Sequence, residues 1–146
     1  MSLLTAIALA AAWSMHAPTL AALADRPMAV IAVACIAPVV YAEARGEPVA
    51  GMEAVAGVVL ERARRSRMHP CTVVLQPHQF SVLVSGSVDL RSVAAAVAVA
   101  ARATGPGVSG CAGATHFDAR SAAAWTQRLP VLCRIGGHVF YGDQSR

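Results

Sequence analysis

Residues 39–48 read VVYAEARGEP, and they set two carboxylates, an arginine and a glycine at the end of an apolar run in a chain with only 14% charged residues. The run, Met28 to Ala42, follows Pro27, which suits the first position of a helix. Pro38 lies inside it and should kink it by removing one backbone bond. Gly46 and the Glu47-Pro48 pair end it, since a residue before proline is pushed out of the α region. Glu43 then falls in the last turn, in register with Ile36 and Val40 on a face that reads as buried. Carboxylates near a helix C-terminus are disfavoured by the helix dipole, so two of them there need a reason. Glu47 has a bland one as an exposed turn residue. Glu43 has two readings: a structural carboxylate paired with Arg45, or an acid held in an apolar wall. In the second case its pKa rises and its proton becomes available to a glycosidic oxygen.

Downstream, VAGMEAVAGVVLERARRS (49–66) sets Met52, Val55, Ala56, Val59, Leu60 and Ala63 on one helical stripe. Glu53, Glu61, Arg62, Arg64 and Arg65 take the other side, with Glu61 and Arg65 as an i,i+4 pair. Gly57 would let a neighbour come close. Residues 68–77 read as a loop with a short extended or helical piece at Thr72–Leu75. Leu90–Thr104 is a further helix, stopped by Gly105-Pro106-Gly107. Ala114–Phe117 and Val139–Tyr141 are short β-like pieces, with Trp125 and a turn at Gly136-Gly137 between them.

At 146 residues the chain is one domain by size, and 56% hydrophobic content fills a core. All twelve basic residues are arginine, for a formal charge of +4. That balance favours polyanionic partners in general, while 5% aromatics argue against a base-stacking nucleic-acid platform. Four separated cysteines, Cys35, Cys71, Cys111 and Cys133, form no CxxC motif. They are free buried thiols, or two disulfides in any of three pairings if the protein is exported. Leu3–Met15 (LLTAIALAAAWSM) has the length of a signal-peptide core, and Ala22-Leu23-Ala24 resembles a cleavage site, but no Arg or Lys precedes the run. His16 and Pro18 interrupt it as a membrane span. Residues 1–26 therefore read as a hydrophobic segment that is a signal, an anchor or an extra helix, and 27–146 as the functional domain.

The run Tyr41-Ala42-Glu43-Ala44-Arg45-Gly46-Glu47-Pro48, with Gly51 and Val58–Arg62 after it, resembles the opening of the SleB/CwlJ-type cell wall hydrolases. Pro70–Val74 with Gln79-Phe80-Ser81, Gly113–Phe117, and Arg134–Tyr141 resemble the blocks that follow, in order, from about Ile36 to Gly142. The resemblance implies an α+β, mainly helical, lysozyme/lytic-transglycosylase-like domain with a few short β-strands. It implies a peptidoglycan glycosidase acting on the MurNAc–GlcNAc bond, with Glu43 as the catalytic acid. Several members are lytic transglycosylases, in which one acid/base serves both steps and no second carboxylate acts as nucleophile. A lysozyme mechanism needs one, and Asp118, Asp89 and Glu47 are the candidates. Asp118 stands where members with a Thr-His-aromatic-His segment have histidine.

Gln79, whose amide suits N-acetyl and hydroxyl groups, lines the cleft on this reading, as do Thr115 and His116. Tyr41 orients Glu43 or sits in the core. Trp125 stacks on a sugar ring, or is core, the commoner fate of a lone tryptophan in a small domain. His138 reads as structural, and Arg62, Arg64, Arg65 and Arg67 as a solvated helix face. The implied partner is the peptidoglycan glycan strand, with no nucleic acid, cofactor or metal, in the envelope, periplasm or exterior. The N-terminal segment leaves a membrane or virion association open, and with it an endolysin role. Two rivals stand beside this reading. One is a zinc amidase or peptidase using His116, Asp118 and His138, whose types suit zinc but whose spacing matches no ligand motif. The other is a non-catalytic wall-binding or virion protein on the same scaffold, since a misplaced acid loses catalysis.

Overall fold

The computed structural model describes residues 26–77, 79–80, 87–105, 110–119 and 123–143. Residues 1–25 of the hydrophobic 1–26 segment, residues 81–86, and the Pro106-Gly107 part of the expected stop after the last helix lie outside them. Among the described residues, four α-helices lead into a three-stranded sheet: α1 (Pro27–Ala44), α2 (Val49–Ser66), α3 (Pro70–Val74), α4 (Leu90–Ala103), β1 (His116–Ala119), a 3₁₀ turn (Ala124–Arg128), β2 (Val131–Ile135) and β3 (His138–Tyr141). The fold is mainly helical with a small sheet, as expected.

α1 starts with Pro27 at its first turn and runs unbroken through Pro38. It is long and apolar enough to cross a membrane, yet Ile36, Val39 and Val40 are fully buried in the core with α2 and α4 residues. Gly46, at φ +90°, turns the chain, and the Glu47 amide closes on the Ala44 carbonyl. α2 follows at once, and its buried face is wider than one stripe, taking Gly51, Ala54 and Val58 as well as Met52, Val55, Ala56, Val59 and Ala63. Gly57 meets open space. The close approach is instead at Gly110, where a Cβ would collide with the backbone of Ala50 and Ala54. The stripe reading missed this because it weighed a glycine's own helix and not the loop that crosses it.

At its far end α2 stops at Arg67, in the left-handed region at φ +55°, whose amide returns to the last turn. The Thr72–Leu75 ambiguity resolves to helix, capped by His69, whose Nδ1 accepts from the Cys71 amide. Cys71 bonds Cys35, and Cys111 bonds Cys133, which selects one of the three pairings and sets aside free thiols. The first bridge ties α3 to α1, and the second ties the segment before β1 to β2. α4 is capped by Asp89, whose carboxylate accepts from the Arg91 and Ser92 amides. Arg102 pairs with Glu53 at 2.7 Å, bracing α4 on α2.

The sheet is antiparallel in the order β1-β3-β2. His116 lies opposite Tyr141 and Ala119 opposite His138. β2 is a strand the sequence reading left out. Val131 and Leu132 are exposed, the register slips between Val131 and Cys133, and the alternation that announces a strand is absent. Phe140, fully buried on β3, joins the sheet to the helical core.

Candidate active site

The sequence-predicted site residues fall into two groups, one at each end of α2. The first surrounds the α1–α2 turn. Glu43 sits half-buried in the last turn of α1, on the helix that carries buried Ile36, Val39 and Val40. Tyr41, one of the two readings for which was core, is buried at 6% exposure. Its hydroxyl accepts from the Asp89 amide at 3.1 Å and from Arg45 at 3.1 Å, with the guanidinium over the ring. Tyr41 thereby fixes the end of α1 against the start of α4. Arg45 uses its charge on that phenol.

Glu47 is not the exposed turn residue that the sequence suggested. Its side chain is 19% exposed and accepts from the Gly137 amide at 2.8 Å, ninety residues away, with His138 Nδ1 at 3.7 Å. A Cβ at Gly136, which sits at φ +57°, would run into this carboxylate and into Pro48. The β2–β3 turn and the α1–α2 turn therefore fit only because position 136 carries no side chain. His138 is structural, edge-on to Phe117 with ring centroids 5.4 Å apart. Its Nδ1 is buried without a hydrogen-bond partner among the described residues.

The second group lines a cavity of about 370 Å³ between α2, α3, the start of β1 and the chain after β3. Gln79, Thr115 and His116 meet there with Arg62, Arg65, Ser66, Val73, Gln76 and Asp143; Glu43 and Tyr41 are not among the lining residues. Arg62 lies thirteen residues past the first residue of α2, which is roughly 20 Å of axial rise. Arg62 is half-buried, donates to the Thr115 carbonyl and to Gln79 Oε1 (2.7 Å), and lies over the Phe80 ring at 5.0 Å. Burial lowers its pKa, against the opposing pull of Asp143.

Thr115 is 3% exposed. Its amide bonds the Tyr141 carbonyl, and its hydroxyl sits 2.9 Å from His116 Nδ1 and 2.8 Å from Asp143 Oδ1. The other Asp143 oxygen takes Arg65 at 2.6 Å. Burial first, and Arg62 second, lower the His116 pKa, while Asp143 raises it. Trp125 is not core. It is 53% exposed, and its ring stands 5.8 Å from that of His116 and 6.4 Å from that of Tyr141.

Arg62 and Asp143 are the site residues that sequence reasoning missed. Arg62 hid in a run of arginines that reads as solvated, although it is one turn before Ser66 on the side facing β1. Asp143 lies just past the last recognisable block. Of the candidates for a second carboxylate, Asp89 caps α4, Glu47 holds the hairpin turn, and Asp118 accepts from the Ala119 and Ala123 amides at 2.9 and 2.8 Å. No group of three or more His, Cys, Asp or Glu side chains gathers as a metal site among the described residues. The convergence of His116, Asp118 and His138 that the zinc rival required is thus not found there.

A helical domain with one glutamate at the end of a buried helix and a three-stranded sheet laid along the next is the architecture of a lytic-transglycosylase-like fold. The chain belongs to the Cell Wall Hydrolase family, whose model matches residues 46–141; Glu43 stands three residues before the matched segment.

Two spore cortex-lytic enzymes are similar to it. One, from Halalkalibacterium halodurans, is 33% identical over 110 residues, covering 72% of this chain and 33% of that protein. The other, from Oceanobacillus iheyensis, is 36% identical over 106 residues, covering 69% and 38%. The chain spans about a third of the length of these curated relatives. The solved catalytic domain of the Bacillus cereus SleB protein superposes with a TM-score of 0.58 at 25% identity, covering 75% of this chain and 88% of that one. The catalytic domain of the germination-specific lytic transglycosylase SleB from Bacillus anthracis gives the same TM-score and identity, with 75% and 92% covered.

Proposed function

We propose that this chain degrades peptidoglycan outside the cytoplasm by cleaving the MurNAc–GlcNAc bond as a lytic transglycosylase, with Glu43 as its single catalytic acid/base. The observation that carries this is the setting of Glu43: a half-buried carboxyl in the last turn of α1, on a helix end fixed by the Tyr41 hydroxyl and followed by a turn that Glu47 fastens to the hairpin. Glu43 protonates the glycosidic oxygen as that bond breaks, and its carboxylate then takes the proton of the muramoyl 6-hydroxyl as this oxygen closes on the anomeric carbon. The product is an anhydromuramoyl end, and no water enters. The engagement of Asp89, Glu47 and Asp118 by backbone amides supports chemistry with one carboxylate. The name of the Bacillus anthracis structure supports the same reaction. In this reading the Arg62 cavity grips the polymer away from the scissile bond, with Gln79 and His116 as polar contacts and exposed Trp125 as a stacking platform for a sugar ring.

The test is mass spectrometry of fragments released from purified sacculi by wild type and Glu43→Gln. Anhydromuramoyl ends from wild type, with activity down at least about a hundredfold in the variant, are expected for loss of a general acid. Reducing muramic ends would overturn the transglycosylase outcome and direct attention to Asp118. Undiminished release by a folded Glu43→Gln would sink the assignment of the acid.

A further inference from the structure

The Thr115 hydroxyl stands between two partners and has one hydrogen to give. Asp143 is ion-paired with Arg65 at 2.6 Å, so it is a carboxylate and only accepts. The Thr115 hydroxyl donates to it at 2.8 Å, which spends its hydrogen. The 2.9 Å contact between Thr115 Oγ1 and His116 Nδ1 is then a hydrogen bond only if Nδ1 carries the proton. His116 Nδ1 and Asp143 Oδ1 are themselves 3.6 Å apart, too long for a direct bond, so the order passes through the hydroxyl. The sheet holds the three groups in place: the Thr115 amide bonds the Tyr141 carbonyl, His116 is opposite Tyr141, and Asp143 follows two residues later.

We propose that Asp143 is a positioning residue which, acting through Thr115, keeps neutral His116 as the Nδ1–H tautomer. His116 Nε2 then acts as a hydrogen-bond acceptor for a hydroxyl or amide N–H of the sugar in the Arg62 cavity. The role of Nε2 rests on the proposed glycan-cleaving function; the tautomer does not. The charged groups that act on the ring are Arg62 from α2 and Asp143 from the chain after β3, and Arg65 lines the same cavity. Arg62 already supplies donors to this cavity, and the other tautomer would add one more where N-acetylated sugars need an acceptor. The relay therefore gives the site both kinds of hydrogen-bonding group.

The ring nitrogens of His116 are read by ¹⁵N NMR on the free, uniformly labelled protein at a pH where the ring is neutral. Wild type should show a protonated Nδ1 and a lone-pair Nε2. Asp143→Ala frees the Thr115 hydrogen to donate to the ring, and Thr115→Val removes the acceptor, so both should shift the ring toward Nε2–H. Thr115→Ser should restore the wild-type pattern, and Arg65→Ala should leave it unchanged, which separates the relay from general loosening of the ion pair. A wild-type ring protonated on Nε2, or an unchanged ring in a folded Asp143→Ala, overturns the relay. On purified sacculi, Asp143→Ala should raise KM several-fold and leave kcat within about twofold. An unchanged KM beside a switched tautomer would overturn the acceptor role. Failure of the glycosidase reading would appear as no released glycan from wild type, and the ring spectrum would stand independently of it.

Discussion

Glu61 shows how a single side chain on α2 is tuned. Hydrogen bonds from Arg64 and then Arg65, at 2.7 Å each, bring its pKa down to about 2. A folded pKa below the unfolded one gives stability that is fully present above the ordinary carboxylate range and lost as pH falls toward 2. Arg64→Ala should therefore flatten the acid limb of a thermal-unfolding profile between about pH 4.5 and 2, with the wild-type difference shrinking at high salt because the Arg64 end of the pair is exposed. The i,i+4 spacing made the Glu61–Arg65 pair legible in the sequence; the Arg64 contact at i,i+3 was not read there. Arg62, one residue on, was not legible. What distinguishes it is the Thr115 carbonyl it reaches across fifty-three residues, and no local pattern encodes such a partner. Trp125 misled for a related reason: a tryptophan carries equal apolar area whether it fills a core or stands beside a cavity. Trp125→Ala should weaken binding to sacculi in a pull-down assay while changing the urea midpoint little, because the ring is 53% exposed.

Helices were the readable elements. Proline and glycine punctuation and apolar periodicity placed α1, α2 and α4 within a residue or two of where they fall. Asp89, read from the sequence only as a candidate second carboxylate, is the cap of α4. Its carboxylate satisfies two amides at the start of α4 while its own amide bonds Tyr41. Asp89→Ala should lower the urea midpoint, and Asp89→Ser should recover most of the loss, since serine also caps and the backbone bond to Tyr41 is untouched. The strands were less readable, and β2 escaped altogether. A four- or five-residue strand with a bulge and an exposed face has too few alternations to stand out. The turn at Gly136-Gly137 was legible as a turn, but its requirement for glycine comes from Glu47 across the molecule and not from the turn itself.

At the scale of the whole molecule, two disulfides close loops of 36 and 22 residues. By loop entropy each contributes about 3–4 kcal/mol. Reduction of both bridges should lower the melting temperature markedly, and Cys35→Ala/Cys71→Ala, which keeps Cys111–Cys133, should lower it less. Truncating the fully buried Phe140 to Ala should cost about 3–5 kcal/mol, because it joins sheet to helices. The sequence disclosed the family and the likeness of its blocks, but not that Glu43 and the Gln79–Thr115–His116 cavity stand at opposite ends of α2. Order along a chain does not carry distance in space. The bond from Gly137 to Glu47 has a temporal meaning as well. The turn beside Glu43 waits for chain ninety residues downstream, so a ribosome must deliver nearly the whole domain before the surroundings of Glu43 can close. A half-made copy therefore has the glutamate but not its setting.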